Sequence, residues 1–245
     1  MSFVLKKRYG QNFLIDQNIL TKITNLINSE NLNILEIGPG DGKLTEKIIL
    51  KKPSKLTLVE IDRELFQNLE KKYLFSSKIN LINADILKYN IKCQYELIIS
   101  NLPYNISSQI LVKLSTINLT PDTLILMFQK EFAQRLLDKK LNSLNSLINC
   151  FYNVKHNFNV SKNCYRPIPK VDSSVLTFKK LKNELLEIEE INRFITFKRD
   201  LFSHKRKSLK NLLKKYDLKY KFNLNLRVED LKLNELLSIF RATNS

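Results

Sequence analysis

The sequence lacks several features that would define its class. No apolar run approaches the roughly 20 residues that span a bilayer, and the N-terminus resembles neither a secretory signal nor a transit peptide. We therefore expect a cytoplasmic protein with no membrane association. The only cysteines are Cys93, Cys150 and Cys164, and they are widely separated and odd in number. We interpret them as reduced thiols and predict neither a disulfide nor a metal site.

Glycine is scarce, with four in 245 residues. Three of these, Gly38, Gly40 and Gly42, fall within five residues. Glycine adopts backbone conformations closed to other residues and lets a ligand approach the backbone closely. A cluster of glycines in such a glycine-poor chain therefore indicates a ligand-binding loop.

Acidic residues are outnumbered by basic ones, 24 to 41, which gives a formal net charge of +17. Such an excess favours a polyanionic partner, because basic side chains placed on phosphates release counterions. The alternative is a compositional bias, since Lys, Asn and Ile are abundant, as an AT-rich genome would make them. Net charge alone therefore supports nucleic-acid binding only modestly.

Short apolar strands alternate with amphipathic helices, a pattern typical of a parallel sheet covered on both faces. The predicted strands are 33–37, 56–61, 79–83, 96–100, 124–128, 151–160 and 174–178, and the predicted helices are 43–51, 64–73 and 107–115. From about Lys182 the chain is basic and purely helical. We predict an α/β catalytic domain at 1–182 and a small all-helical, substrate-binding domain at 183–245.

The glycine loop follows the first sheet strand, where open α/β sheets bind nucleotide-like ligands. Its G-x-G-x-G spacing fits neither a dinucleotide fingerprint nor a phosphate-binding P-loop, and a nicotinamide oxidoreductase is disfavoured on that ground. The loop, with Glu36 before it, instead resembles the first motif of class I S-adenosylmethionine methyltransferases. The resemblance implies a Rossmann-like sheet and S-adenosyl-L-methionine as the cofactor.

Acidic residues also end the next two strands. Glu60 stands where a carboxylate can accept hydrogen bonds from both ribose hydroxyls, and Asp85 stands where one can accept from the adenine amine. Ile61 and Ile86 are predicted to sandwich the adenine ring. Asp62 is predicted to cap the following helix instead.

The fourth strand ends in Asn101, Leu102, Pro103 and Tyr104. The lone pair of an adenine amine is delocalised into the ring, so methylating it requires acceptors for the amine hydrogens. The side-chain oxygen of Asn101 and the Leu102 carbonyl can supply them, and Pro103 keeps Leu102 extended. Tyr104 offers a flat face to an extruded base. The tetrapeptide resembles the Asn/Asp-Pro-Pro-Tyr motif of amino methyltransferases, and Asn101 is also expected to border the cofactor.

The chain as a whole resembles the KsgA-type small-subunit rRNA adenine-N6,N6-dimethyltransferases. The motifs that carry this likeness lie at 7–14, 101–104, 131–135, 165–174 and 202–211. The resemblance implies that Gln11, Asn12 and Leu14 lie against the cofactor. It also implies two dimethyladenosines in the terminal hairpin of small-subunit rRNA, with that rRNA or the assembling small subunit as partner.

Two alternatives stay open, a large-subunit dimethyltransferase conferring macrolide resistance and a non-catalytic RNA-binding or transcription factor on the same scaffold. No feature indicates an obligate dimer, so we expect a monomer.

A basic run from Lys198 to Lys215 predicts phosphate contacts on a helical face, although a merely solvated surface is the alternative. The residues predicted to bind RNA are Lys6, Lys7, Arg8, Arg199, Lys205, Arg206, Lys207 and Lys210.

Overall fold

The computed structural model describes residues 11–204, 206–214, 216 and 223–243. The strands are β1 (Phe13–Leu14), β2 (Asn33–Ile37), β3 (Lys55–Glu60), β4 (Ile79–Asn83), β5 (Leu97–Asn101), β6 (Thr123–Gln129), β7 (Tyr152–Val160), β8 (Tyr165–Arg166) and β9 (Ser173–Lys180). The helices are α1 (Gln17–Thr24), α2 (Lys43–Ile49), α3 (Arg63–Tyr73), α4 (Ser107–Thr116), α5 (Lys130–Leu137), α6 (Asn145–Ile148), α7 (Ile188–Ser203), α8 (Leu209–Leu212) and α9 (Leu233–Ala242). Every strand and helix predicted for the sheet region is confirmed, with ends that differ by one or two residues.

Seven strands form one sheet in the order β4-β3-β2-β5-β6-β9-β7. The first five in this order are parallel, and β9 runs antiparallel to β6. Strand β2 pairs with β3 on one side and with β5 on the other, so the order of the strands reverses at β2. A crevice opens at the carboxyl ends of the strands at such a reversal, and ligands of open α/β sheets bind there.

The interior strands are buried on both faces, which explains their continuous apolar sequences. Ile34, Leu35 and Ile37 of β2 are at most 2% exposed. Helix α1 begins at Asp16, whose Oδ1 accepts hydrogen bonds from the backbone N–H groups of Asn18 at 2.9 Å and Ile19 at 3.0 Å. The Asp16 side chain is thus the N-cap of α1. No helix of the described residues is long and apolar enough to cross a membrane.

The chain forms two compact units. Of the described residues, the first unit runs to Ala133 and resumes at 154–180, and the second comprises 134–153 and the chain from Leu181 onward. The predicted division after residue 182 leaves 134–153 with the sheet, so the sequence did not indicate that this segment joins the C-terminal unit. The assignment of separate catalytic and substrate-binding domains stays a prediction.

The second unit has an aromatic core. The ring of Phe240 in α9 lies 5.2 Å from that of Phe194 and 5.5 Å from that of Phe197, both in α7. The Arg241 side chain donates two hydrogen bonds of 3.0 Å to Glu190, from Nε to Oε1 and from Nη2 to Oε2. Among the residues described after 180 there is no strand, only an isolated bridge between Ser208 and Arg227.

A lysine of the basic run is buried in this unit. Lys198 is 7% exposed, and its Nζ donates to the carbonyl oxygen of Ser143 at 2.5 Å and to the Ser143 hydroxyl at 3.2 Å. Burial lowers the pKa of Lys198 from 10.5 to about 8. Lys198 therefore supports the segment 134–153 and does not belong to an exposed basic face.

We expect the Lys198→Met variant to lose a pH dependence of stability. Between pH 8 and 9 the unfolded chain keeps this proton while the folded chain releases it, so wild-type stability rises with pH. From pH 8 to pH 9 the free energy of unfolding of the wild type should rise by about 1 kcal/mol more than that of Lys198→Met, as measured by urea denaturation. Above pH 9 the buried Cys150 thiol, whose pKa is raised to about 12, has the opposite effect. Lys210→Met, an exposed control, should keep the wild-type profile, and parallel profiles for all three proteins would contradict this account.

Candidate cofactor and active site

A cleft that is open to solvent lies at the carboxyl ends of the central strands. All residues predicted to bind the cofactor or to catalyse line this one cleft. They are Gln11, Asn12, Leu14, Gly38, Gly40, Glu60, Ile61, Asp85, Ile86, Asn101, Leu102, Pro103 and Tyr104. The sequence therefore identified a real constellation, while the role of each member stays a prediction.

The three clustered glycines serve different purposes. All have positive φ, of 64°, 61° and 81° for Gly38, Gly40 and Gly42. A Cβ on Gly38 would meet no atom within 4 Å, so this position borders open space in the cleft. A Cβ on Gly40 would lie 2.8 Å from the ring of Phe13, and one on Gly42 would lie 2.9 Å from Leu69. Gly38 thus leaves room for a ligand, whereas the other two allow β1 and α3 to pack against the loop.

Glu60 links the glycine loop to β3. Its Oε2 accepts from Gly40 N at 3.1 Å, and its Oε1 accepts from Asp62 N at 2.8 Å. Burial raises the pKa of Glu60. Each carboxylate oxygen has a further lone pair, so the group suits two ribose hydroxyls. Asp62 caps α3 by accepting from Glu64 N at 3.1 Å, as predicted, and also accepts from Gln11 Nε2 at 3.0 Å.

The predicted adenine subsite is formed by two apolar side chains and one acid. Ile61 is 42% exposed although it lines the cleft, and Ile86 is buried. The Asp85 Oδ1 accepts from Leu87 N at 2.9 Å and so shapes the turn that carries Ile86. Two isoleucines and a carboxylate lining one cleft fit a flat, apolar ring with a polar edge, and the adenine of S-adenosylmethionine is such a ring.

Lys113 was not predicted from the sequence, although it supports the turn that carries Ile86. Its Nζ donates to three backbone carbonyls, those of Ile86 at 2.8 Å, Leu87 at 3.1 Å and Tyr89 at 2.6 Å. An ammonium has three donors, so all of them are used. Burial lowers the pKa of Lys113. The available signal was a lysine within the apolar stretch of α4.

Glu36 was noted only as part of the loop motif, yet it also lines the cleft. It is 1% exposed, and its Oε2 accepts from the Thr45 hydroxyl at 2.6 Å. Its Oε1 makes no hydrogen bond to any described residue. Burial, with a smaller contribution from neighbouring acids, raises the pKa of Glu36 to about 8. A buried carboxyl group whose Oε1 has no partner among the described residues can offer a ligand in the cleft a hydrogen bond.

Asn101 stands at the end of β5, where its side chain is oriented by a contact with Asn12, the residue before β1. Its Nδ2 donates to the carbonyl oxygen of Asn12 at 2.9 Å, which leaves Oδ1 as the acceptor of the amide. The preceding Ser100 hydroxyl donates to Ile37 O at 2.6 Å and so joins the ends of β5 and β2. The predicted acceptor, Asn101 Oδ1, thus follows a residue that ties the end of β5 to the end of β2.

Comparison with known proteins identifies the family. The family described as ribosomal RNA adenine dimethylase matches residues 2–244. The "Ribosomal RNA small subunit methyltransferase A" of Mycoplasmopsis pulmonis is 40% identical over 98% of this chain and 93% of its own. The protein of the same name from Pelagibacter ubique is 39% identical over 93% of this chain and 92% of its own. The chain belongs to the ribosomal RNA adenine dimethylase family. Members of this family are enzymes that use S-adenosyl-L-methionine, so the predicted family, enzyme class and cofactor are confirmed.

Solved structures confirm the fold class. A dimethyladenosine transferase from Plasmodium falciparum superposes with a TM-score of 0.82 and 24% identity, covering 95% of this chain and 98% of that one. The 23S rRNA methyltransferase ErmE superposes with a TM-score of 0.74 and 22% identity, covering 95% of this chain and 100% of that one. At these identities the likeness shows the fold alone, which is the class I methyltransferase sheet with a helical C-terminal region.

The predicted basic face is only partly described. Lys6, Lys7, Arg8 and Lys205 lie outside the described residues. Arg199, Arg206, Lys207 and Lys210 are exposed. The prediction that the basic run forms one helical face is wrong, because α7 ends at Ser203 and α8 contains only four residues. The cause is a turn in which Lys207 N donates to His204 O at 2.9 Å.

We expect Lys113→Met to weaken S-adenosylmethionine binding about tenfold, because the carbonyls of Ile86, Leu87 and Tyr89 lose their charged donor. Isothermal titration calorimetry measures this directly. Lys88→Met removes an exposed lysine from the same turn and is the matched control. Equal affinities for both variants and wild type would show that the turn does not need Lys113.

Alanine at Gly42 should mainly reduce stability, whereas alanine at Gly38 should mainly reduce cofactor affinity. Both Gly38→Ala and Gly42→Ala place a Cβ at positive φ, at a cost of roughly 1–2 kcal/mol each. Gly42→Ala also overlaps buried Leu69 and should lower the melting temperature more. Gly38→Ala should reduce cofactor affinity more, because its methyl occupies the cleft. Thermal denaturation and cofactor titration test both expectations, and the reverse ranking would refute them.

Proposed function

We propose that this chain methylates the N6 amine of two adjacent adenosines in the 3′-terminal hairpin of small-subunit rRNA, to dimethyladenosine, during ribosome assembly. The observation that carries the proposal is the position of Asn101. Its amide lies in the cleft that holds the predicted cofactor residues, and its nitrogen is bound to the Asn12 carbonyl. We further propose that the enzyme acts as a cytoplasmic monomer on the rRNA or the assembling subunit.

The cleft supports catalysis by positioning. S-adenosylmethionine supplies a methyl group made electrophilic by its sulfonium. The Asn101 Oδ1 and the Leu102 carbonyl accept the two amine hydrogens and so direct the nitrogen lone pair at that methyl. As the new N–C bond forms, the sulfur–methyl bond breaks and a neutral thioether leaves. The amine proton then becomes acidic, so its loss to solvent requires no dedicated base. In-line alignment and preorganised acceptors then account for the rate.

Tyr104 supplies a surface for the target base. It lines the cleft immediately after the Asn101 acceptors, and it is partly exposed. An adenine removed from its helix loses stacking energy, which an aromatic ring can restore. We propose that Tyr104 stacks on the target adenine while Asn101 and Leu102 bind its edge.

The small subunit is favoured over the large one by the relatives named for it, which match at 39–40% identity over nearly the whole chain. The exposed Arg199, Arg206, Lys207 and Lys210 are proposed to contact phosphates, which would orient the RNA without reading its sequence.

We expect Asn101→Ala to lower methyl transfer by about a hundredfold or more, as loss of a preorganised transition-state contact does. The assay follows label from S-adenosylmethionine into unmodified small subunits, with large subunits alongside. Asn105→Ala, an exposed asparagine of the same loop, is the matched control. Dimethyladenosine in small-subunit rRNA that is lost only with Asn101→Ala supports the proposal. Label confined to large subunits, or full activity of Asn101→Ala, would refute it.

A further inference from the structure

Three hydroxyl groups and a thioether meet beside the cleft. The Tyr104 hydroxyl lies 2.6 Å from Ser173 Oγ, and the Tyr165 hydroxyl lies 2.9 Å from the same atom. The Tyr165 hydroxyl is also 2.9 Å from the sulfur of Met127. Tyr104 lines the cleft, whereas Ser173 and Tyr165 are fully buried and do not line it. Ser173 therefore connects the interior to Tyr104.

The hydroxyl of Ser173 is well suited to this place. A serine hydroxyl can accept two hydrogen bonds and donate one, so a single Oγ can serve both phenols. Burial raises the pKa of Tyr104 and of Tyr165, which keeps both hydroxyls protonated. The Tyr104 ring is consequently held at two points, by the backbone that follows Asn101 and by its hydroxyl at Ser173.

The position of Ser173 is itself determined by the sheet. It is the first residue of β9 and pairs with Gln129 of β6. The preceding Asp172 accepts from Lys130 N at 3.0 Å through its carbonyl and from Lys162 N at 2.9 Å through its carboxylate. An anchor on a paired strand is more rigid than one on a loop. The Tyr104 ring thereby takes its orientation from the sheet.

We propose that Ser173 is a positioning residue that holds the Tyr104 ring in the orientation that binds the target adenine. The inference rests on the proposed function, in which Tyr104 stacks on that base. Ser173 acts through the Tyr104 hydroxyl and touches neither substrate nor cofactor. Without it the phenol would turn away from the single stacking pose, and the base would be bound less often in the reactive position.

The test is a double-mutant cycle with Ser173→Ala and Tyr104→Phe, which each remove one half of the same hydrogen bond. Each variant should lower kcat/KM for RNA by about tenfold, the size expected for one such bond. Their combination should be no worse than either alone. Cofactor affinity, measured by calorimetry, should be unchanged. Independent losses that multiply in the double variant would overturn the proposal.

A spectroscopic readout separates positioning from simple packing. In RNA carrying 2-aminopurine at the target position, stacking on Tyr104 quenches the probe, so Ser173→Ala and Tyr104→Phe should both give brighter complexes than wild type. Ser174→Ala is the matched control. It removes a neighbouring buried hydroxyl, which donates to Asn159 Oδ1 at 2.7 Å, and should leave the quenching unchanged. Unaltered quenching in Ser173→Ala overturns the proposal.

Two further outcomes are distinguishable. If Ser173→Ala does not fold, Tyr104→Phe tests the same bond from a partly exposed side chain, and wild-type kinetics and quenching in that variant overturn the proposal. Tyr104→Ala removes the ring altogether. Full activity of Tyr104→Ala would refute the stacking role in the proposed function, and the inference with it. Loss in Tyr104→Ala with a normal Tyr104→Phe would refute only the role of Ser173.

Discussion

The pairing of β2 with β3 on one side and β5 on the other is the constraint on which the site depends. Because these strands are parallel, their carboxyl ends meet at one edge of the sheet. Because the order reverses at β2, the connections that follow β2 and β5 lead away from each other and leave a crevice between them. Gly38, Glu60 and Asn101 each follow or end one of these strands. Three short stretches that are distant in the sequence thus become one wall.

Much of this arrangement could be predicted, because it is encoded locally. Apolar strand runs, the helix caps at Asp16 and Asp62, and the polar residues that end successive strands are each recognisable within about ten residues of sequence. Parallel topology then brings those strand ends together without further information. For the same reason the cofactor residues were predicted as a set, since a residue at a strand end needs only the strand to be placed.

The features that were missed depend on contacts between distant segments. Lys198 counts as a surface charge in sequence, and only its contact with Ser143 makes it a buried support of another segment. Lys113 and Ser173 likewise acquire their roles from partners 24–27 and 69 residues away. The buried Lys198 and the partly buried Lys113 are satisfied in the same way. In a chain short of acids, both ammonium groups donate hydrogen bonds to backbone carbonyls in place of carboxylates.

Strand β1 has a consequence for how the protein is made. Its residues Phe13 and Leu14 pair with Arg166 and Tyr165 of β8, and the Phe13 ring covers Gly40. Strand β1, translated first, therefore gains its partner only after some 150 further residues, roughly 8 to 30 seconds later at ordinary elongation rates. During that interval β1 lacks the strand with which it pairs in the folded protein. The strand pairing that supports Phe13 and Leu14 beside the glycine loop is therefore completed only after synthesis has passed β8.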